Sequence, residues 1–267
     1  MHIVICTKLV PDPEAAFSMF RIDEQAKQVV PAPGLPWVMS PFDEQAVEAA
    51  LRIREKLPGT RISVMTLGSE AARNALKHGL AMGADDGVLL ADAAFDDSDS
   101  YGTACVLAAA IRKLGSCDLV LTGRQAADGD CGVVGAGIAE LLGVPVVSFA
   151  SDVQTDGNTV RVERVLDDGA EIVEAALPAV VTISNELGAA RAPNLRETMR
   201  AARKPVVTWS VADLGLGAGE MGAAGARCVR ERVFVPVKDN RCEMMEGASP
   251  EEQAARLAQR LREAKVI

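Results

Sequence analysis

Hydrophobic and polar positions along the first half of the chain predict strand and helix in alternation. His2 to Thr7 is a short, β-branched apolar run, the pattern of a buried strand. Pro31 to Pro36 is a proline-rich connector. A helix opens at Ser40: Ser40 can cap it, Pro41 suits its first position and Asp43 can close a capping box. Val47, Ala50, Leu51 and Arg54 follow at spacings of three and four, so one stripe faces a core. Arg61 to Leu67 predicts the second strand, Ser69 a cap for the next helix, Gly83 its left-handed end, and Gly87 to Leu90 the third strand. An acidic loop, Asp96 to Ser100, precedes a helix over Tyr101 to Leu114. Asp118 to Leu121 reads as the fourth strand and Gly123 to Gly132 as a loop. The helix that follows runs to Leu142, with Gly143 and Pro145 as stop signals, and Pro145 to Phe149 reads as the fifth strand. This alternation predicts an α/β fold, a three-layer, mostly parallel sheet with helices on both faces.

The pattern changes after Ser151. Thr159 to Val165 and Ala170 to Ala176 flank an Asp167-Asp168-Gly169 turn and predict a β-hairpin. Pro178 to Ser184 is another apolar strand, and Asn185 to Pro205 is polar, basic and punctuated by proline. Gly215 to Gly225 is glycine-rich and reads as flexible. A last helix is capped by Ser249, begins at Pro250 and has Glu252 placed for a capping box; Ala254, Leu257, Leu261 and Ala264 form its apolar stripe. That stripe packs either on the chain's own core or on a partner. The expected organisation is an α/β domain over 1–185 with a hairpin extension at 158–177, a loop and strand over 186–210, and a flexible segment and C-terminal arm over 211–267. No repeat of fixed period is visible.

Composition narrows the function. Apolar residues make up 49% and charged residues 24%, ordinary for a globular chain. The net charge of −9 argues against a nucleic-acid partner, which needs a basic face, and 3% aromatics leave little for base stacking. The six cysteines (Cys6, Cys105, Cys117, Cys131, Cys228, Cys242) show no CxxC pair and no zinc-ligand spacing, so no metal site is expected and a reducing compartment fits. The opening MHIVICTKLV has no basic n-region and no apolar run reaches membrane-spanning length, so a cytoplasmic protein without a transmembrane segment is expected. The only histidines, His2 and His78, read as structural or solvated.

Candidate chemistry concentrates between Asp118 and Gly135, where a strand leads through a glycine-rich loop into a helix. In open parallel sheets ligands bind beyond the carboxyl ends of strands, where strand order reverses. Gly123, Gly129, Gly132 and Gly135 let backbone approach a ligand, and the free amides of the next helix attract an anion such as a nucleotide phosphate. Arg124 adds positive charge and Gln125 can bond in two directions. The loop is neither GxGxxG nor GxxxxGKS, and a tight αβ connection remains the plain alternative. Asp128 and Asp130 suit loop organisation or a ribose hydroxyl better than a phosphate. No histidine or nucleophile accompanies them, so no catalytic residue is expected.

Gly123-Arg-Gln-Ala-Ala-Asp-Gly-Asp130 with Cys131 resembles the nucleotide loop of the electron transfer flavoprotein β-subunit family. Val162 to Thr182, Ser40-Pro41-Phe42-Asp43, the first strand ending in Lys8, and Ala81 to Asp85 resemble further family motifs in the family's order. The resemblance implies a HUP-like adenine-nucleotide-binding core and an electron carrier that pairs with a larger, FAD-bearing α subunit, on which the C-terminal arm packs. It also implies exchange of electrons with a partner such as an acyl-CoA dehydrogenase or another flavin dehydrogenase. Carried over, the nucleotide contacts are Cys6, Ser40, Pro41, Phe42, Asp43, Leu67, and the loop Gly123, Arg124, Gln125, Ala126, Ala127, Asp128, Gly129, Asp130, Cys131, Gly132, Val133 and Val134. Arg191 to Met199 resembles the family's partner-recognition loop, with Leu195 as its anchor; packing of Leu195 on its own domain is the alternative.

The resemblance allows two occupants, AMP in ordinary members or a second FAD in flavin-bifurcating ones. Ala94-Phe95 and Asp99-Ser100-Tyr101-Gly102-Thr103 resemble a flavin-lining segment, which adds Asp99, Ser100 and Thr103 as contacts; Arg124 and Gly129 also lean towards FAD. Cys131-Gly-Val-Val-Gly135-Ala136 departs from the usual bifurcating loop, T-A-Q-V-G-P, and leaves AMP as the alternative. A different class, a non-redox adenine-nucleotide-binding regulatory module of the same fold, would lack the Val162 to Thr182 motif and the Leu195 loop. A nucleotide-using hydrolase or ligase would need an SGG or GKS element, which is absent from the sequence.

Overall fold

The computed structural model describes residues 1–236 and 242–267; positions 237–241, inside the expected arm 211–267, lie outside the described residues. Thirteen strands are described: β1 His2–Thr7, β2 Leu9–Pro11, β3 Phe20–Asp23, β4 Gln28–Pro31, β5 Trp37–Met39, β6 Arg61–Leu67, β7 Asp86–Leu90, β8 Leu119–Gly123, β9 Val146–Thr155, β10 Thr159–Leu166, β11 Gly169–Ala176, β12 Ala179–Ile183 and β13 Val206–Trp209. The helices are α1 Pro41–Lys56, α2 Arg73–Met82, α3 Ser100–Leu114, α4 Val134–Leu142, α5 Leu195–Ala201, α6 Val211–Leu214, α7 Gly222–Gly225 and α8 Pro250–Glu263. Nine strands form one sheet in the order β11-β10-β9-β12-β8-β1-β6-β7-β13. The seven from β9 to β13 run parallel, and only the β10–β11 hairpin extension runs antiparallel.

Period-two alternation sorts the strands into two core layers. Ile3 and Ile5 of β1, Ile62 and Val64 of β6 and Leu119 and Leu121 of β8 pack with Val47, Leu51, Leu76 and Leu80 of α1 and α2. Val4, Cys6, Met65 and Val120 point the other way, onto Val106, Leu107, Ile111 and Ile138 of α3 and α4. Burial on both faces explains why these strands read as largely apolar runs. β9 serves two partners: it pairs parallel with β12 and antiparallel with β10, and both registers shift near Ala150. Phe149, at φ 62, makes the bend beside that shift.

Four local expectations differ from the structure. Two small antiparallel sheets, β2–β5 and β3–β4, flank the proline-rich connector Pro31 to Pro36, in a stretch where the sequence predicts no strand. Neither Ser40 nor Ser69 makes a side-chain cap; the oxygens of Ser40 and Asp43 bond to distant backbone, as described below. Leu195 begins a helix, because Asn194 caps it by accepting from the Glu197 amide at 3.0 Å. The glycine-rich stretch near 215–225 is folded in part: Met221, Gly222 and Gly225 are buried.

Candidate functional site

The chain leaves β1 towards β6 and β7, then crosses back to lay β8 on the other side of β1. Strand order therefore reverses between β1 and β8, and the crevice beyond their carboxyl ends is where such sheets bind ligands. Cys6 pairs with Thr122 in this register, and Lys8 and Gly123 stand at the two strand ends.

The start of α1 closes the base of the crevice. The β2–β5 pair folds the chain back so that the Ser40 amide donates to the Lys8 carbonyl at 2.9 Å. Asp43, only 6% exposed, then accepts from two amides: Lys8 at 2.7 Å and Gly123 at 3.1 Å. One carboxylate ties together the ends of the two strands that frame the crevice. Burial pushes Asp43 up to about 7, against the lowering by the Lys8 and Gly123 amides. Gly123 has no room for a side chain: a Cβ there would lie 2.6 Å from Asp43 Oδ1 and 2.6 Å from Phe42 Cβ.

The loop after β8 is held at several points. Lys8 Nζ pairs with Asp128 at 2.7 Å, Gln125 donates to Asp130 at 2.8 Å, and the buried Ser40 hydroxyl accepts from the Ala127 amide at 3.4 Å. The Arg124 guanidinium lies 5.2 Å from the Phe42 ring and donates through Nη1 to Ser184 at 3.1 Å, while Ser184 bonds onward to Glu186. Among the described residues, Arg124 Nε is buried and has no partner. Beyond Cys131, Gly132 and Val133 the chain enters α4, whose start carries no side-chain cap. Its first turn is drawn tightly onto the sheet: a Cβ at Gly135 would lie 2.6 Å from Thr182 and 2.8 Å from Thr122. A helix start without a side-chain cap, reached from a loop that carries an arginine, suits an anion. A phosphate-bearing ligand fits these residues on that ground.

The structure thus gathers Ser40, Pro41, Phe42, Asp43 and the loop Gly123 to Val134, including Ala126, Ala127 and Gly129, around one crevice. Cys6 is at its floor but points into the α3–α4 layer, where burial chiefly drives the thiol well above its ordinary range and keeps it neutral. Leu67 ends β6, one strand from β1. Asp99 is the N-cap of α3, accepting from the Gly102 amide at 2.9 Å, with Ser100 and Thr103 in the first turn. Its second oxygen is already used by the backbone of Arg227 and Cys228. Leu195 lies away from the crevice at the start of α5 and is 78% exposed, beside the exposed Met199. Arg191 fixes the approach to that helix through a two-pronged pair with Glu48 (2.6 and 3.0 Å). Sequence reasoning did not assign Lys8 or Ser184 roles at the site; the position of Lys8, just past a central strand, was the available signal.

These features define an α/β protein whose candidate ligand crevice lies at the sheet's switch point. A family model described as "Electron transfer flavoprotein domain" matches residues 29–214. The chain is similar to the caffeyl-CoA reductase-Etf complex subunit CarD of Acetobacterium woodii, 37% identical over 267 residues and 100% of both chains. It is also similar to the electron transfer flavoprotein subunit beta of Clostridium acetobutylicum, 38% over 226 residues and 85% of each chain. Protein FixA of Azorhizobium caulinodans is 35% identical over 244 residues, 88% of this chain and 85% of that one. The chain belongs to the electron transfer flavoprotein family and has the role of its β subunit. Such subunits are electron carriers that pair with an α subunit and serve dehydrogenases. Among the described residues no helix is long and apolar enough to cross a membrane.

Proposed function

We propose that the β1–β8 crevice holds the adenosine and phosphate part of FAD, and that the chain passes electrons between a flavin dehydrogenase and the FAD of a larger α subunit. The observation that carries this reading is the start of α4, without a side-chain cap, at the end of a loop in which Arg124 keeps a buried Nε with no partner among the described residues. Arg124 and Gly129 in the loop, with the Ala94-Phe95 and Asp99 to Thr103 segment, lean towards FAD over AMP. AMP is the second reading, because Cys131 to Ala136 brings no hydroxyl or amide side chain to the ligand. FAD, when bound, supplies the redox chemistry. The chain's residues bind and orient: the first amides of α4 and Arg124 meet negative charge, Gly123 lets backbone close in, and Asp43 fixes the strand ends. None needs to move a proton. A second flavin here would serve NADH-linked bifurcation within a larger complex. The unpaired cysteines suit a reducing compartment, and we assign the chain to the cytoplasm.

Heat release of nucleotides from the purified αβ complex tests the reading. Two FAD per complex is the expected result, one FAD with one AMP selects the second reading, and a complex without nucleotide in this subunit overturns both. Leu195 is read as the anchor for the dehydrogenase. Burying one leucine in a partner pocket is worth roughly 2 kcal/mol, so Leu195→Ala should raise the dehydrogenase concentration for half-maximal electron exchange more than tenfold. Nucleotide content should not change; its loss would assign α5 to the nucleotide site instead.

A further inference from the structure

The segment from Met221 to Cys228 is fastened at and around the start of α3 by five contacts. Met221 is buried in the α3–α4 core layer, beside Phe95 and Ala104. The Gly222 amide donates to Ser98 Oγ at 2.8 Å. The amides of Arg227 and Cys228 both donate to Asp99 Oδ2, at 2.7 and 2.9 Å. The Arg227 guanidinium stacks 3.4 Å from the centre of the Tyr101 ring. Gly222 adopts φ +60, and a Cβ there would lie 2.5 Å from the Ala94 carbonyl, so the turn that starts this segment is built for glycine.

Beyond Cys228 the character changes. Val229, Phe234, Val235 and Met244 are exposed, and no residue of α8 is buried. Asp99 spends one oxygen on capping its own helix and the other on two amides more than a hundred positions away. An N-cap needs only the first of these.

We propose that residues 221–228 are a strap that roots the C-terminal arm on α3, and that Asp99 and Tyr101 are its catch. With the strap closed, the arm starts at Val229. With it open, eight more residues join the tether and add up to about 27 Å of reach. The catch thereby sets how far the arm and anything bound to it can range, and it does so whichever nucleotide the crevice holds.

Hydrogen exchange of the αβ complex, read by mass spectrometry on peptides covering 221–228, tests this. In the wild type these amides should exchange at least tenfold more slowly than free chain. Asp99→Ala removes the shared acceptor and should abolish that protection, while Tyr101→Leu, which leaves the cap intact, should raise the rate about threefold. Arg230→Ala, which removes the 3.0 Å bond to the Lys27 carbonyl, should change nothing in 221–228. Exchange at free-chain rates in the wild type, or unchanged protection in both catch variants, overturns the proposal. If Asp99→Ala unravels α3 as a whole, Tyr101→Leu decides alone.

Discussion

Gly123→Ala should yield an αβ complex that has lost most of the nucleotide of this subunit and melts several degrees lower. The added methyl would sit 2.6 Å from Asp43 Oδ1, 2.6 Å from Phe42 Cβ and 2.9 Å from the Phe42 carbonyl carbon. The last of these is backbone at the start of a helix, so it cannot turn aside. Overpacking of this kind costs about 1–3 kcal/mol, and the relief available is separation of β8 from α1. That motion stretches the Gly123 amide away from Asp43 and displaces the start of the Arg124 to Val134 loop. Nucleotide content is read by heat release and chromatography, and stability by thermal unfolding. Gly169→Ala, on the edge strand β11, is the control: a Cβ at Gly169 meets nothing within 4 Å, so content and melting should match the wild type. A Gly123→Ala complex with full nucleotide and an unchanged melting curve would sink the assignment of Gly123 to the crevice wall.

Much of this architecture is legible in the sequence because its signals are local. β1, β6 and β8 are buried on both faces and so read as largely apolar runs, and the glycine-bounded helices between them show stripes at helical spacing. The switch-point loop is legible for the same reason, as a strand, a glycine-rich turn and a helix start in succession. What the sequence hides is set by partners far along the chain. β3 and β4 are short and partly exposed, and each exists through its neighbour. Ser40 and Asp43 have the spacing of a capping box, yet Asp43 bonds to amides 35 and 80 positions away. A rule that looks three residues ahead cannot weigh that competition, in which tertiary donors take the carboxylate from the helix start. Ser184 became visible as the partner of Arg124 only once β12 was set beside β8. The strap was hidden too, because glycine-rich composition reads as flexibility until the acceptors at Ser98 and Asp99 are in place.

Asp43→Asn should weaken the same site from the other side and change its response to pH. The amide side chain has one acceptor oxygen where Asp43 uses two, so either the Lys8 or the Gly123 amide faces an N–H group. Leaving a buried donor unsatisfied costs about 1–3 kcal/mol. The strand ends should loosen, with partial loss of nucleotide from the αβ complex. The pH dependence follows from the raised value of the carboxyl, about 7 against 3.8 for the free group, with burial as its largest cause and the two amides opposing it. Across that interval the folded chain binds a proton that the unfolded chain has released. Its contribution to stability is therefore complete below about pH 4 and is lost as pH rises through about 7. Asparagine has no such proton, so the wild type's advantage over Asp43→Asn should be larger at pH 5 than at pH 8. Urea unfolding of both proteins at the two pH values measures the difference. An advantage that stays level, or grows with pH, would mean that the folded chain carries Asp43 ionised throughout, with its two amide bonds outweighing burial.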